Sequence, residues 1–190
     1  MNRGYQYNFS THIPSMYDVQ SRERKAHTMI AVLSDFFKDT DHLKDLTLID
    51  IGASTGIIDN YLSGYFKQVV GVDIDSQGIS HARKFYGKEN LTFIEGDAMS
   101  LQFEDNSFDI VICSQVYEHV PDAQKMLREI YRVLKPAGVC FFSAGNRLNP
   151  IEPHYNLPLL SIIPKSLSHF YLKLSGKGNI ITRNILAIGG

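Results

Sequence analysis

Every second residue from Asp50 to Gly56 is either acidic or nearly bare of side chain: Asp50, Gly52, Ser54, Gly56. Leu46, Leu48, Ile49 and Ile51 form the apolar run of a buried strand leading into this turn, and a helix is expected from 57 to about 63. With Gly52, Ala53, Ser54 and Gly56 offering little bulk, a ligand can reach the main chain itself. The first turn of the helix presents unpaired N–H groups, which favour a carboxylate, a phosphate or another electron-rich group.

Two cofactor classes use such a turn, and spacing separates them. A dinucleotide fingerprint needs Gly-x-Gly-x-x-Gly, and its third position here is Ile57. The observed order is Asp50-x-Gly52-x-Ser54-x-Gly56. A second apolar run, 69–75, carries an acid, Asp73, about 20 residues downstream, where a strand-end carboxylate accepts hydrogen bonds from ribose hydroxyls. A third, 91–94, leads into Glu95, Gly96, Asp97 and Ala98. A fourth, 108–113, runs into Ser114, Gln115, Val116, Tyr117, Glu118 and His119.

This ordered set resembles the class I S-adenosylmethionine (SAM)-dependent methyltransferases, close to their type 11 group. Their first motif reads acidic-x-Gly-x-Gly-x-Gly, and Ser54 departs from the middle glycine. The resemblance spans about residues 46–145 and includes the Leu-Lys-Pro-x-Gly turn at 134–138. It implies an α/β fold: a doubly wound, Rossmann-like, mostly parallel sheet with helices on both faces. It also implies SAM as cofactor. Asp97 would accept from the adenine amine, the Ala98 N–H would meet a ring nitrogen, and the end of the fourth strand would border both sulfonium and acceptor. The expected cofactor set is Asp50, Gly52, Ala53, Ser54, Gly56, Asp73, Ile74, Asp97, Ala98 and Ser114.

Around this core, apolar positions Ala123, Met126, Leu127, Ile130, Tyr131 and Leu134 predict a helix over 122–134 with Asp122 as N-cap, followed by a fifth strand at 139–143. Ala26, Met29, Ile30, Leu33, Phe36 and Phe37 predict a helix over 16–37. Before it, Tyr5, Tyr7, Phe9, His12 and Tyr17 form an aromatic group able either to fold over the cofactor or to pack as ordinary core. Arg22 and Arg24 are candidates for a bidentate grip on the methionyl carboxylate. The division expected is 1–45 as an aromatic segment and helix packing on the sheet, 46–145 as SAM-binding core, and 146–190 as a basic apolar lid.

The net charge of −1 leaves no footprint for non-specific nucleic-acid binding, but its distribution is uneven. Residues 1–145 hold 14 Lys or Arg against 19 Asp or Glu, whereas 146–190 hold 5 against 1. A basic tail that is also apolar and aromatic over 157–174 fits either a lid or peripheral contact with a lipid surface. Seven strands are usual in this family, and one further candidate, 179–186, follows the fifth. The expectation is a piece of a longer enzyme lacking one or both final strands. Cys113 and Cys140 fall in predicted buried strands, so both are expected reduced, in a cytoplasmic setting. The sequence leaves oligomeric state open.

Methyl transfer needs alignment more than acid–base help, because the sulfonium already activates the carbon. Where the acceptor must lose a proton, His119 is the first candidate base and Tyr117 the second. No His-Glu-x-x-His or paired Cys-x-x-Cys spacing points to a metal. Ser54 within Gly-x-Ser-x-Gly lacks the Asp-then-His order of a hydrolase. The function expected is a SAM-dependent methyltransferase with a small-molecule or lipid-like acceptor. A non-catalytic SAM-binding or scaffold protein is the alternative, and an NAD-dependent oxidoreductase comes third.

Overall fold

A computed structural model describes residues 7–145, 151–152, 157–158 and 165–176. Its central sheet is β1 (Thr47–Ile51), β2 (Gln68–Asp73), β3 (Leu91–Glu95), β4 (Phe108–Ser114) and β5 (Leu134–Ser143), in the order β3-β2-β1-β4-β5. All four pairings are parallel. The chain winds outward from β1 through β2 to β3, then returns to lay β4 on the other side of β1. That reversal opens a crevice above the carboxyl ends of β1 and β4, where ligands bind in open α/β sheets.

Alternation along each strand builds two cores. Leu48, Val69, Leu91, Phe93, Ile110 and Ile112 face one layer, formed by α2 (Val19–Phe37), α3 (Ile57–Leu62) and α4 (Ser76–Tyr86), through Ala26, Met29, Leu33, Ile58, Leu62, Ile79 and Ala82. Ile49, Ile51, Val70, Val72, Val111 and Cys113 face the other, where α5 (Ala123–Val133) supplies Met126, Ile130 and Val133. Strands buried on both faces read as continuous apolar runs, which is why β1, β2 and β4 were legible. Asp50 is the exception within β1, on the face toward α2 and α3. Its neighbour in β2 is Gly71, which has no side chain to fill the space.

Several boundaries differ from expectation. Helix α2 starts at Val19, not 16, because Pro14–Tyr17 winds as a 3-10 turn and the Asp18 side chain caps the helix through the Ser21 N–H. Helix α5 runs Ala123–Val133, with Asp122 accepting from the Lys125 N–H as its N-cap. The stretch read as a turn before the fifth strand already belongs to β5, which pairs irregularly with β4 between Phe108 and Ile110 and has Ala137 at φ 65. Cys140 is only half-buried, since β5 is the outermost strand of this sheet, while Cys113 is buried; both are free thiols.

Ahead of the sheet, α1 (Phe9–His12) is tied to α4 by the Ser10 N–H, which donates to Asp75 Oδ2 at 2.6 Å. Beyond it, β6 (Ile151–Glu152) and β7 (Leu157–Pro158) form a separate antiparallel pair, and α6 (Lys165–Leu174) exposes Leu167, Phe170 and Leu174. Tyr5 and the strand expected over 179–186 lie outside the described residues. No helix among the described residues is long and apolar enough to cross a membrane.

Candidate functional site

The turn after β1 owes its shape to alternate residues in the left-handed region: Gly52 at φ 94, Ser54 at φ 52 and Gly56 at φ 78. Each has a different reason. A Cβ on Gly52 would run into the Val116 side chain, so this glycine lets the loop after β4 approach the turn. On Gly56 it would lie 2.6 Å from Ala82 Cβ and 2.7 Å from Phe93 Cζ, so that glycine sets how closely the turn seats on α4 and β3. Ser54 holds a conformation that costs an L-residue about 1–2 kcal/mol. The Ser54 N–H donates to Asp73 Oδ2 at 2.8 Å, anchoring the strained residue to the end of β2.

Asp73 thereby organises two turns at once. Its Oδ1 accepts from the Asp75 N–H at 2.8 Å while Oδ2 holds Ser54. Burial pushes its carboxyl above the ordinary range, against the backbone N–H groups of Asp75, Ser54 and Ile74. Gly52 and Ala53 N–H groups meanwhile donate to Val72 O, and Gly96 N–H to Asp73 O. The tips of β1, β2 and β3 are therefore stitched side by side.

Below the turn lies a buried charge cluster. Arg22 of α2 is only 8 % exposed and faces Asp50, Asp59 and Asp73. Burial lowers its pKa, and the three carboxylates oppose that shift. Asp50 is pushed up to about 7, first by burial, with Arg22 pulling it down and Asp73 adding to the rise. Asp59 is also raised, by burial and then by the charge of Asp50. Lys25, one turn after Arg22, has its pKa lowered by burial and by repulsion from Arg22.

A cleft of about 250 Å³ opens over this floor. Asp50, Ile51, Gly52 and Ser54 line it from the first turn, Val72, Asp73 and Ile74 from the second, and Gly96 and Ala98 from the third. Ser114, Gln115, Val116, Glu118, His119 and Val120 follow from β4 and its loop, and Phe9, Met16, Arg22 and Lys25 from the amino-terminal segment. That segment crosses the cleft as a strap. It is held by Ser10 on Asp75, by the Thr55 hydroxyl donating to Met16 O at 2.6 Å, and by Phe9 against the His119 ring at 5.2 Å.

Of the residues expected from sequence, Asp50, Gly52, Ser54, Asp73, Ile74, Ala98, Ser114 and His119 meet on one cleft. Ala53 is buried beneath the turn, and Gly56 packs at the base of α3. Asp97 Oδ1 accepts from the Met99 N–H at 2.6 Å, shaping the third turn beside the cleft wall. Tyr117 packs edge-on against Phe142 at 6.0 Å, away from the cleft lining. Arg22 reaches the cleft; Arg24 is exposed on the opposite face of α2. Tyr7 and His12 are exposed, and Tyr17 packs on His81.

Sequence reasoning passed over Lys25, Val116, Glu118 and Asp59. One signal for Asp59 was present: Gly71 in the interior of β2, since strand glycines mark a close approach. A Cβ there would sit 2.9 Å from Asp59 Oδ1.

The lining suits a ligand with an amino-acid end and a nucleoside end. Arg22 Nε and Ser54 Oγ are buried polar atoms with no hydrogen-bond partner among the described residues, and both side chains border the cleft. Arg22, Lys25 and Asp50 give the lining cationic and acidic groups, and Ile51, Val72, Ile74 and Ala98 give it apolar surface.

Comparison with known proteins agrees with this geometry. Residues 49–142 match the model of a family described as a methyltransferase domain. A ubiquinone biosynthesis O-methyltransferase of Hahella chejuensis is 30 % identical over 138 residues, 70 % of this chain and 57 % of its own length. A demethylmenaquinone methyltransferase of Lactococcus lactis is 32 % identical over 130 residues, 64 % of this chain and 52 % of its own. Among solved structures, the PH0226 protein of Pyrococcus horikoshii superposes with a TM-score of 0.60 at 31 % identity, covering 72 % of this chain and 65 % of that one. The chain spans about half the length of the curated relatives it matches.

Proposed function

Because residues 49–142 form a methyltransferase domain of the class I type, we propose that this chain binds SAM in the crevice above β1 and β4 and methylates a small-molecule or lipid-like acceptor. The observation that carries the reading is the meeting of Gly52, Asp73 and Ala98, from three adjacent strand tips, on one cleft with Arg22 and Asp50 at its charged end. SAM supplies an activated methyl group; the protein's work is to hold donor and acceptor in line and keep water out.

In this reading Gly52, Ser54 and Asp50 hold the amino-acid end, with Arg22 taking its carboxylate, while Ala53 and Gly56 shape the turn. Asp73 takes the ribose hydroxyls with the oxygen lone pairs its backbone contacts leave over. Ile74 and Ala98 flank the adenine, with Asp97 fixing that turn. Ser114 borders the reacting centre. His119 removes a proton where the acceptor atom has one to lose, and Phe9 helps exclude solvent from its ring. Tyr117, turned toward Phe142, is the weaker candidate.

Two relatives carry quinone names, which supports an acceptor with an apolar body. Peripheral membrane contact through 157–174 belongs to the same proposal. Leu167, Phe170 and Leu174 are 58 %, 64 % and 71 % exposed on one side of α6, with Lys173 beside them. A helix with an apolar face and flanking lysines suits an anionic lipid surface. Sedimentation with anionic vesicles, lost on Phe170→Glu, tests it. The two free cysteines are compatible with a reducing, cytoplasmic setting.

Calorimetric titration with SAM, with S-adenosylhomocysteine and with NAD tests the cofactor, and labelled SAM with acceptor pools tests turnover. Tight SAM binding with turnover is expected. Binding without turnover across broad pools would favour a non-catalytic SAM-binding protein, and preference for NAD would favour an oxidoreductase.

A further inference from the structure

Asp59 has no part in the scheme above, yet it is fully buried on α3, directly beneath the charged end of the cleft. Neither of its carboxylate oxygens has a hydrogen-bond donor on another residue among those described. The two groups that surround it explain why it fits there. Gly71 leaves the space for its side chain, and Asp50, which pairs with Gly71 across the sheet, is its neighbour in that space. Two carboxyl groups in such contact repel when both are ionised and bond when one keeps its proton.

The charges around the pair can be counted element by element. Arg22 faces it from α2 and Asp73 from the end of β2, while Lys25 of α2 and Glu118 of the loop after β4 line the same cleft, and the Cys113 thiol of β4 lies on the opposite face of the sheet. Against the three carboxylates Asp50, Asp59 and Asp73, Arg22 is the cation that acts on the pair. Asp73 is met by the N–H groups of Ser54 and Asp75, which leaves two carboxylates against the Arg22 charge and a place for one further positive charge or, in its absence, one proton. Two side chains at least nine-tenths buried, Arg22 at 8 % exposure and Ser54 at 6 %, also border this cleft and carry polar atoms with no hydrogen-bond partner among the described residues. These point to a ligand carrying a cation beside an acceptor-rich group, as the ammonium and carboxylate of an amino acid do.

We infer that Asp50 and Asp59 share a single proton until the cofactor binds, and that arrival of its primary ammonium group expels that proton to solvent. Asp59 thus governs cofactor affinity without touching the transferred methyl group. The amino-acid end enters as a zwitterion, its carboxylate taking up the Arg22 charge and its ammonium replacing the proton between the two aspartates. The O–H bond of the shared carboxyl breaks, its proton passes to solvent, and no covalent bond to carbon changes. Burial, which raises the pKa of both carboxyls, favours the shared-proton form near neutrality. The inference rests on the proposed binding of SAM.

Titration calorimetry of the intact chain with SAM, near neutral pH in two buffers of different ionisation enthalpy, counts the protons. Release of roughly one proton per SAM is expected, with affinity rising up to about tenfold per pH unit across the transition. Measurable SAM binding with no proton exchange overturns the inference alone; absence of SAM binding overturns the proposed function and takes the inference with it. S-adenosylhomocysteine keeps the ammonium and loses the sulfonium charge. Equal release with both ligands is expected, and loss of release with S-adenosylhomocysteine contradicts the ammonium as the displacing group. In Asp59→Asn the release should vanish and the pH dependence flatten, whereas wild-type release in that variant overturns the pair. Should Asp59→Asn fail to fold, difference infrared spectroscopy on the wild type decides. The carbonyl band of a protonated carboxyl must disappear on SAM binding, and its persistence refutes the expulsion.

Discussion

Replacing Arg22 by methionine, of similar length and no charge, should destabilise the ligand-free protein in a manner set by pH. Arg22 opposes the burial-driven rise in Asp50 and Asp59, so its loss raises both carboxyls further. A carboxyl whose pKa is higher folded than unfolded keeps its stability at low pH and loses it as pH rises through the folded value. The cost is bounded, because the cluster can escape a bare charge by taking up a proton. Near pH 5.5 Asp50, pushed up to about 7, is already neutral in the wild type, so little is added there, whereas near pH 8 holding an aspartate with an ordinary pKa of 3.8 neutral costs about 6 kcal/mol. Breaking a buried ion pair by removing one partner typically costs about 3–5 kcal/mol. The expectation is therefore a small loss near pH 5.5 that widens to about 3–5 kcal/mol near pH 8. Urea denaturation of both proteins at the two pH values measures it, from midpoints at unchanged slope. A gap equal at both values, or wider at the acid one, would refute the reasoning.

Ser54→Gly should relieve the left-handed strain and, after the entropy that glycine adds to the unfolded chain, leave a net change of at most about 1 kcal/mol toward stability by thermal melting. Gly56→Ala should cost about 2–4 kcal/mol, combining positive φ with overlap against Ala82 and Phe93, and a melting point within error of wild type would show that the turn can shift. Asp73→Ala should weaken SAM by about 1–3 kcal/mol in calorimetry, and unchanged affinity would remove it from the site. If His119 acts as base, His119→Gln should lower turnover by about 10²–10⁴ with cofactor affinity intact, and undiminished turnover would leave the ring a packing role against Phe9.

The sheet was legible because parallel strands covered on both faces cannot help being apolar, and because Asp73, Gly96 and Asp97 punctuate them where they end. The charged floor was not. A lone aspartate on a short helix, in the string Ile57, Ile58, Asp59, Asn60, reads as a solvated position until α2 is known to lie over it. What buries Asp59 is tertiary: α2 packed on α3, and a glycine in the adjacent strand. Arg22 and Arg24 could not be told apart from sequence, since only the rotation of α2 turns one inward. The 3-10 turn at Pro14–Tyr17 was hidden by the apolar periodicity that follows it, and it is this turn that brings Met16 to Thr55 and the strap across the cleft.

The central claim is that three strand tips, at Gly52, Asp73 and Ala98, hold one nucleoside-bearing cofactor whose amino-acid end rests on Arg22 and Asp50. A crystal structure with S-adenosylhomocysteine tests it directly. The account predicts density for one molecule in this cleft, with ribose at Asp73, base beside Ala98 and carboxylate toward Arg22. Density outside the cleft, or inside it with the amino-acid end away from Arg22 and Asp50, would contradict it.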